Sequence, residues 1–567
     1  MTFCSKKIKM LCGMSALIFI FIVFFEYRSW ADREKIQKVE ELSFSRESGF
    51  YEEEFELEME AGVGTIYYTL DGSIPDRNSI KYEKPILIKD ATENDNVYSM
   101  RTDVSTGFDK EEIERISYDF PGYCVPDYKI DKGTVIRAVA YNELGQRSDV
   151  KTASYFVDFS HKDGYKGMNI LSVVTEPSGL FDYQTGIYVT GRTYDDYVKE
   201  YRVKDEYYWR EEFWALWMAN YRNRGIKWER KASCQFFNGS GELICDQECG
   251  IRIHGSVSRG YNPKSLNIYA REEYDGNKKF REDFWGTGYY ASEITMFQGG
   301  NDIRAKVKDY LVSEAIKDLN VSTMNYEPYV LFLNGEYWGC YWLNEKYNAN
   351  YLEFYYNVDK DNVIMIKNGE LAEGDEDDYK YFSNMIEFCS QSDVTIDKNY
   401  KKVCDLIDIE SYIDYYAAML YIGRNSDWPW LNYALWRVKK NENSIFGDGK
   451  WRWMIFDLNS AGYNAGFDSI NYVMENDEMF KNMMTNDSFR VQLISKIEEL
   501  TDTVFNIEEM DEKITDYHDF MAEPMRENNR RFYGEDSLSV FDNELEMLRK
   551  FFAERKNYLM PILDKYR

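Results

Sequence analysis

The chain has 567 residues, 44% hydrophobic and 17% aromatic with 48 Tyr and 13 Trp, which excludes a disordered polypeptide and suffices for several domains whose cores need no disulfide staples. A formal charge of -30 argues against a nucleic-acid partner, because phosphate backbones are bound by neutralising them with Lys and Arg. Nine scattered Cys and only three His, at 161, 254 and 518, leave no zinc framework and little material for histidine triads, so chemistry has to rest on carboxylates and lysine.

Lys6, Lys7 and Lys9 precede an uncharged run from Met10 to Phe25. Its apolar character predicts a membrane-directing segment, and the flanking lysines predict a cytoplasmic N-terminus. No small-residue cleavage site follows it, so residues 1–30 are expected to be a single-pass transmembrane anchor with the bulk of the chain extracytoplasmic. The run is slightly shorter than the roughly 17 to 25 residues of a spanning helix, which keeps a cleaved signal peptide as the competing reading.

From Glu52, short alternating stretches such as Phe55-Glu56-Leu57-Glu58-Met59 and Thr65–Leu70 are bounded by turn residues at Asp71-Gly72 and Ile74-Pro75-Asp76. Period-two alternation predicts strands, and with Thr134–Tyr141 they sum to a β-sandwich over 44–158, interrupted by an acidic insertion from about Thr92 to Tyr128. The wording "GTIYYTLDGSIPDRNSIKYEKPILI" and "KGTVIRAVAYNELGQRSDV" resembles the chitobiase C-terminal Ig-like module. That resemblance implies a spacer first and a weak glycan contact second.

Beyond Lys166, Met168–Thr175 reads as a buried strand. Helices are expected within 197–224, 305–319 and 409–422 and through much of 474–563. The fold class is therefore α+β with a helical C-terminal half, 166–567, in which the motifs fall within 168–465 and 466–567 is a helical extension.

Three constellations carry chemistry. In "RNSDWPWLNYALWRVKKNENSIFGDGKWRWMIFDLN", Asp427 is followed five positions on by Asn432, then by two strands and a turn, then by Asp457 at the end of an apolar strand. Phosphoryl transfer needs a carboxylate to accept the proton of the incoming hydroxyl and oxygen ligands for Mg²⁺, and protein kinases meet this with Asp-x4-Asn and a second Asp after a short hairpin. In "CGIRIHGSVSRGYNPKSLNIYAR", a turn of small residues joins two strands, and Lys264 shares the parity of Leu266 and Ile268 and so starts on the buried face. Such a turn can cover phosphates with backbone N–H groups while Arg259 and Lys264 add positive charge. In "YVLFLNGEYWGCYWLNEKYN", Asn334-Gly335 predicts a type I′ hairpin. Its second strand delivers Glu345, which either meets a nucleotide edge or caps the helix at 348–356.

Together these segments resemble the CotH (spore coat protein H) kinase family, through "HGSVSRGYNPKS", "VLFLNGEYWGCYWLNEKYN", "NSDW", Asn432 and "WMIFDLNSAGY". The resemblance implies an atypical protein-kinase-like domain. In it Asp427 is the catalytic aspartate, Asn432 and Asp457 hold the metal, Lys264 and Arg259 contact phosphate, and Glu345 lies at the nucleotide edge. Asn459 departs from the acidic residue that the family commonly has two positions after the metal-binding aspartate. No partner for Lys264 is assigned, with Asp309 and Glu314 as candidates. The expected cofactors are ATP and Mg²⁺, or Mn²⁺ in its place, and the expected substrates are Ser or Thr hydroxyls of envelope, coat or secreted proteins. Two other readings stay open: a non-catalytic surface protein with a kinase-like scaffold, and another nucleotide-dependent transferase that adenylylates or ligates.

Overall fold

The computed structural model describes residues 42–105, 123–160, 162–201, 218–425 and 427–567. The expected membrane segment lies outside them, and no helix among the described residues is long and apolar enough to cross a membrane. These described residues divide into two compact units, one of 42–47, 55–88 and 136–153, the other of 48–54, 89–105, 123–135 and those described from 154 onward.

The smaller unit is all β. Leu57 and Met59 are buried while Glu56 and Glu58, which alternate with them, are exposed, as alternation demands of a half-buried strand. Phe55–Leu57 pairs antiparallel with Ile86–Ile88, and Thr65–Thr69 pairs with Ile80–Lys81 on one side and with Arg137–Tyr141 on the other. Asp71 accepts the Ser73 N–H at 3.0 Å, closing the turn at Gly72.

Within the acidic insertion and its flanks, residues 89–105 and 123–135 belong to the larger unit. The buried Glu336 carboxylate accepts backbone N–H groups from Val97 at 2.5 Å, Tyr98 at 3.2 Å and Ser99 at 2.7 Å. Asp131 accepts from Lys162 Nζ at 2.5 Å and Tyr165 OH at 2.7 Å. Such carboxylates satisfy several donors of an irregular segment at once, which hydrophobic pattern alone does not disclose.

In the larger unit, seven strands close into a barrel: β1 (Asn169–Thr175), β2 (Arg230–Phe237), β3 (Leu243–Ile253), β4 (Leu266–Ala270), β5 (Glu293–Phe297), β6 (Tyr326–Leu333) and β7 (Glu336–Asn344), in the order β1-β2-β3-β4-β5-β7-β6. Closure comes from parallel pairing of β1 with β6, Ile170 opposite Val330. The β6–β7 turn has positive φ at Asn334 (48°) and Gly335 (87°), the type I′ signature. Alternate residues of β1 enter two different cores, Ile170 one and Leu171 and Val173 the other, so the strand reads as a continuous apolar run.

A second, antiparallel sheet contains β8 (Val363–Lys367), β9 (Glu370–Glu373), β10 (Ala434–Val438) and β11 (Arg452–Met454), in the order β9-β8-β10-β11. Helices cover it. The helix α1 (Lys308–Ala315) precedes the sheet, and α2 (Ile409–Tyr421), buried on every side from Ser411 onward, runs through the core. An all-round apolar helix is what a central position requires. The long helices α3 (Ile507–Tyr533) and α4 (Ser539–Leu563) pack on the same core through Met525, Phe541 and Leu559. The larger unit is thus α+β with a helical C-terminal region.

Candidate functional site

Three neighbouring strand ends build the site. Lys367 of β8 lies opposite Ala434 of β10, and Ala434 opposite Met454 of β11. The antiparallel register therefore brings the exit of β8 at Lys367-Asn368, the entry to β10 from Asn432 and the exit of β11 toward Asp457 to one edge of the sheet. Asn368, Asn432 and Asp457 all have left-handed backbone, with φ of 54°, 57° and 58°. Side chains other than Gly pay for that conformation, Asn and Asp least, and such residues cluster where geometry serves function. Asn368 Oδ1 fixes the corner by accepting the Asn432 N–H at 2.8 Å.

Asp427 opens a turn closed by the Leu431 N–H donating to its carbonyl at 2.7 Å. Its Oδ1 accepts from Arg424 Nη2 at 3.0 Å and its Oδ2 from Asn432 Nδ2 at 2.7 Å. With the amide nitrogen turned to Asp427, Oδ1 of Asn432 is the atom left to ligate. Asp427 keeps 42% of its side chain exposed, while Arg424 beneath it has none. Arg424 follows α2 across Gly423, and its Nε and Nη1 have no hydrogen-bond partner among the described residues. Like Lys367, it is a site residue that motif reading missed. Its signal is a cation ending the apolar run "YYAAMLYIGR".

Burial pushes the Asp457 carboxyl up from its ordinary range and the Asp427 charge adds to this, while Arg424, Lys367 and a hydrogen bond from Asn459 oppose it. Asn459 Nδ2 donates to Asp457 Oδ1. An aspartate at 459 would repel instead. Gly300, at φ 60°, gives Asn459 its room, since a Cβ there would lie 2.5 Å from the amide nitrogen. On α1, Asp309 Oδ1 accepts the Leu458 N–H at 2.7 Å. Burial first, then the Asp457 charge, pushes Asp309 up to about 7.

Lys367 supplies the cation. Its ammonium lies 4.1 Å over the Phe456 ring and forms no ion pair within the described residues. Burial, and then Lys346, lower it to about 8, against the opposing pull of Asp457 and Glu293. Lys346 is instead paired, 2.5 Å from Glu293. His254 is held well below its ordinary value by burial and by the charges of Lys346, Lys367 and Arg259, which favours its neutral form.

The remaining sequence-predicted residues are placed otherwise. Lys264 is buried, as its parity predicts, but its Nζ donates to the carbonyls of Arg259 at 2.9 Å and Tyr261 at 3.3 Å and lies 3.8 Å over the Tyr221 ring. That ammonium braces its own turn, and the lysine beside Asp457 is Lys367. Arg259 donates Nε to Gly255 O at 2.8 Å and Nη1 to Tyr221 O at 2.9 Å, lacing the turn to the preceding loop. Glu345 has both oxygens engaged, with Asn325 N–H at 2.8 Å and Tyr355 OH at 2.5 Å, and burial pushes it up to about 7. The helix that follows is capped by Asn348, which accepts the Tyr351 N–H at 2.9 Å. Glu314 pairs with Lys317 on the surface of α1.

Among the described residues no group of three or more His, Cys, Asp or Glu is arranged to hold a metal ion. The edge offers a mixed pair instead, the Asp457 carboxylate and the Asn432 amide oxygen, with Asp457 made costly to ionise by burial and like charge. This donor set fits Mg²⁺, which takes one or two protein oxygens and completes its shell with water and phosphate, and does not fit zinc.

A family model described as CotH kinase protein matches residues 251–559, a span that includes the whole edge and most of the helical C-terminal region. A second, described as Fn3 associated, matches 55–155. No curated protein matches the chain.

Proposed function

The chain belongs to the CotH kinase protein family, and on that premise we propose that the sheet edge transfers the γ-phosphoryl group of ATP to a Ser or Thr hydroxyl of a protein, in an extracytoplasmic domain anchored by the N-terminal segment. The observation that carries this reading is the convergence of Asp427, Asn432, Asp457 and Lys367 at one strand edge. Asn432 Oδ1 and Asp457 would hold Mg²⁺, which when bound neutralises and orients the polyphosphate.

The chain's own side chains do the rest. Arg424 and Asn432 each donate to one oxygen of Asp427, fixing the carboxylate plane. The lone pairs that remain face solvent and can accept the proton of an incoming hydroxyl. Lys367, unpaired and next to Asp457, presents its ammonium to phosphate oxygens, and an anion there favours its charged form against burial. The Gly255–Gly260 turn, stiffened by Lys264 and Arg259, is the element that would close over the phosphates.

Titration of the full chain with ATP and Mg²⁺ tests the assignment. Asp457→Ala should abolish metal-dependent nucleotide binding. Asp427→Ala should keep binding and lose transfer of γ-labelled phosphate to protein. Equal affinity and equal turnover in both variants refute the separate roles of the two aspartates, and transfer of α-label would replace phosphorylation by adenylylation.

A further inference from the structure

Three arginines surround the Gly255-Ser256 turn. Arg222 Nη1 donates to Ser256 O. Arg224 Nη2 donates to Gly255 O at 3.0 Å, and Arg259 Nε reaches the same carbonyl at 2.8 Å. Each guanidinium carries five N–H donors; Arg222 and Arg224 each give one to these carbonyls, while Arg259 reaches Gly255 O, Tyr221 O and Asn223 O and keeps its Nη2 clear of them. None of the three forms an ion pair with Asp or Glu among the described residues, whereas Arg252 nearby is ion-paired with Glu229 at 3.3 Å.

In a chain of net charge -30, such a gathering needs a reason. Lacing two loops together requires one N–H per arginine and would be done at lower electrostatic cost by a neutral amide. What three converging forks add is planar, bidentate recognition of an oxyanion. After burial, which comes first, the formal charges acting on Arg259 are Arg224, Arg222 and Arg252, all positive, and they lower it to about 9. An anion would relieve that repulsion. Arg224 is exposed and Arg222 half-buried, so the cluster opens to solvent over the buried Arg259. His254, at the base of the same turn, is acted on by the charges of Arg259, Lys346 and Lys367 together.

We propose that Arg222, Arg224 and Arg259 form an oxyanion subsite for the acceptor, taking carboxylates of an acidic segment that flanks the reacting hydroxyl. This rests on the transferase reading for the identity of the ligand, though binding can be measured without turnover.

The test uses the full chain and two labelled peptides, one with a single Ser among Glu residues and the other with Gln replacing every Glu. Fluorescence anisotropy is measured on the wild type, the exposed-site variant R224E and the double variant R222Q/R224Q, with Mg²⁺-ATP affinity measured in parallel. The Glu peptide should bind about tenfold or more weakly to both variants, as expected for loss of a charge-assisted fork. The Gln peptide should bind weakly to all three proteins, and ATP affinity should fall far less than Glu-peptide affinity, since Arg222 and Arg224 touch the turn only through its carbonyls. A matching fall in ATP affinity would assign the cluster to the nucleotide's own phosphates and overturn the acceptor role. Unchanged Glu-peptide affinity in both variants would overturn the subsite altogether. Arginine-dependent peptide binding by a wild type that binds no ATP would leave the subsite standing and remove the transferase reading.

Discussion

Replacing Asp309 by Asn removes a buried charge while keeping an oxygen for the Leu458 N–H, which Asp309 accepts at 2.7 Å. Burial, then repulsion from Asp457, raises the Asp309 carboxyl from an ordinary 3.8 to about 7. The folded chain therefore holds this proton more tightly than the unfolded chain. Its stabilising contribution is complete below about pH 4 and is lost as pH rises through about 7. A gap of about 3 pH units, at roughly 1.4 kcal/mol each, sets a ceiling of ~4 kcal/mol on that loss. D309N should thus match the wild type at about pH 4 and exceed it at about pH 8, by an amount on the order of 2 kcal/mol once the shared repulsion with Asp457 is allowed for. Urea unfolding of the full chain across this pH range measures it. Saturating Mg²⁺ and ATP should then narrow the difference, because a cation at Asp457 offsets the like charge that Asp309 supplies in the wild type. A variant no more stable than the wild type at the alkaline end would show that Asp309 ionises without cost, and the claim of carboxylate crowding at this edge would fall.

Other changes read other parts of the structure. Lys367, lowered to about 8 chiefly by burial, holds its proton less tightly in the folded chain, so its contribution weakens as pH falls through that value. K367M should therefore melt no lower than the wild type at neutral pH without nucleotide, yet bind ATP about tenfold or more weakly in a titration. E336Q gives the N–H groups of Val97, Tyr98 and Ser99 one acceptor oxygen in place of two, and should cost about 1–3 kcal/mol, with faster amide exchange at residues 97–99 as the local readout. N459D replaces the donor to Asp457 by a like charge. It should lower stability near pH 7 without metal and raise Mg²⁺ affinity, and a metal titration that finds weaker binding would contradict the role of Asn459 as a brake on metal affinity.

Spacing could disclose Asp427, Asn432 and Asp457 because short antiparallel connections make strand ends meet, and an Asp that stops an apolar strand is conspicuous in one dimension. The type I′ turn at Asn334-Gly335 was legible for a similar reason, since its conformation is set by the two residues themselves. Closure of the barrel was not. It depends on a parallel pairing between β1 and β6, whose residues are far apart in the chain and carry no mark of each other. How the insertion is held was hidden too, because its anchors include the carboxylate of Glu336, on a strand that otherwise reads as core.

Lys264 and Lys367 show where one-dimensional reasoning about a charged residue stops. The parity that puts Lys264 on an inward face is correct, and full burial is what commits its ammonium to two carbonyls and an aromatic ring. Lys367 ends a strand at the sheet edge and finds no carboxylate partner of its own among the described residues, so its charge stays available. A binding lysine must be buried enough for its charge to act through a low dielectric and yet unsatisfied enough to need a ligand. The sequence displays the first condition through periodicity. The second is a property of the neighbours, which is why Arg424, with two nitrogens unpartnered beneath Asp427, was equally invisible until α2 and the turn after it were seen together.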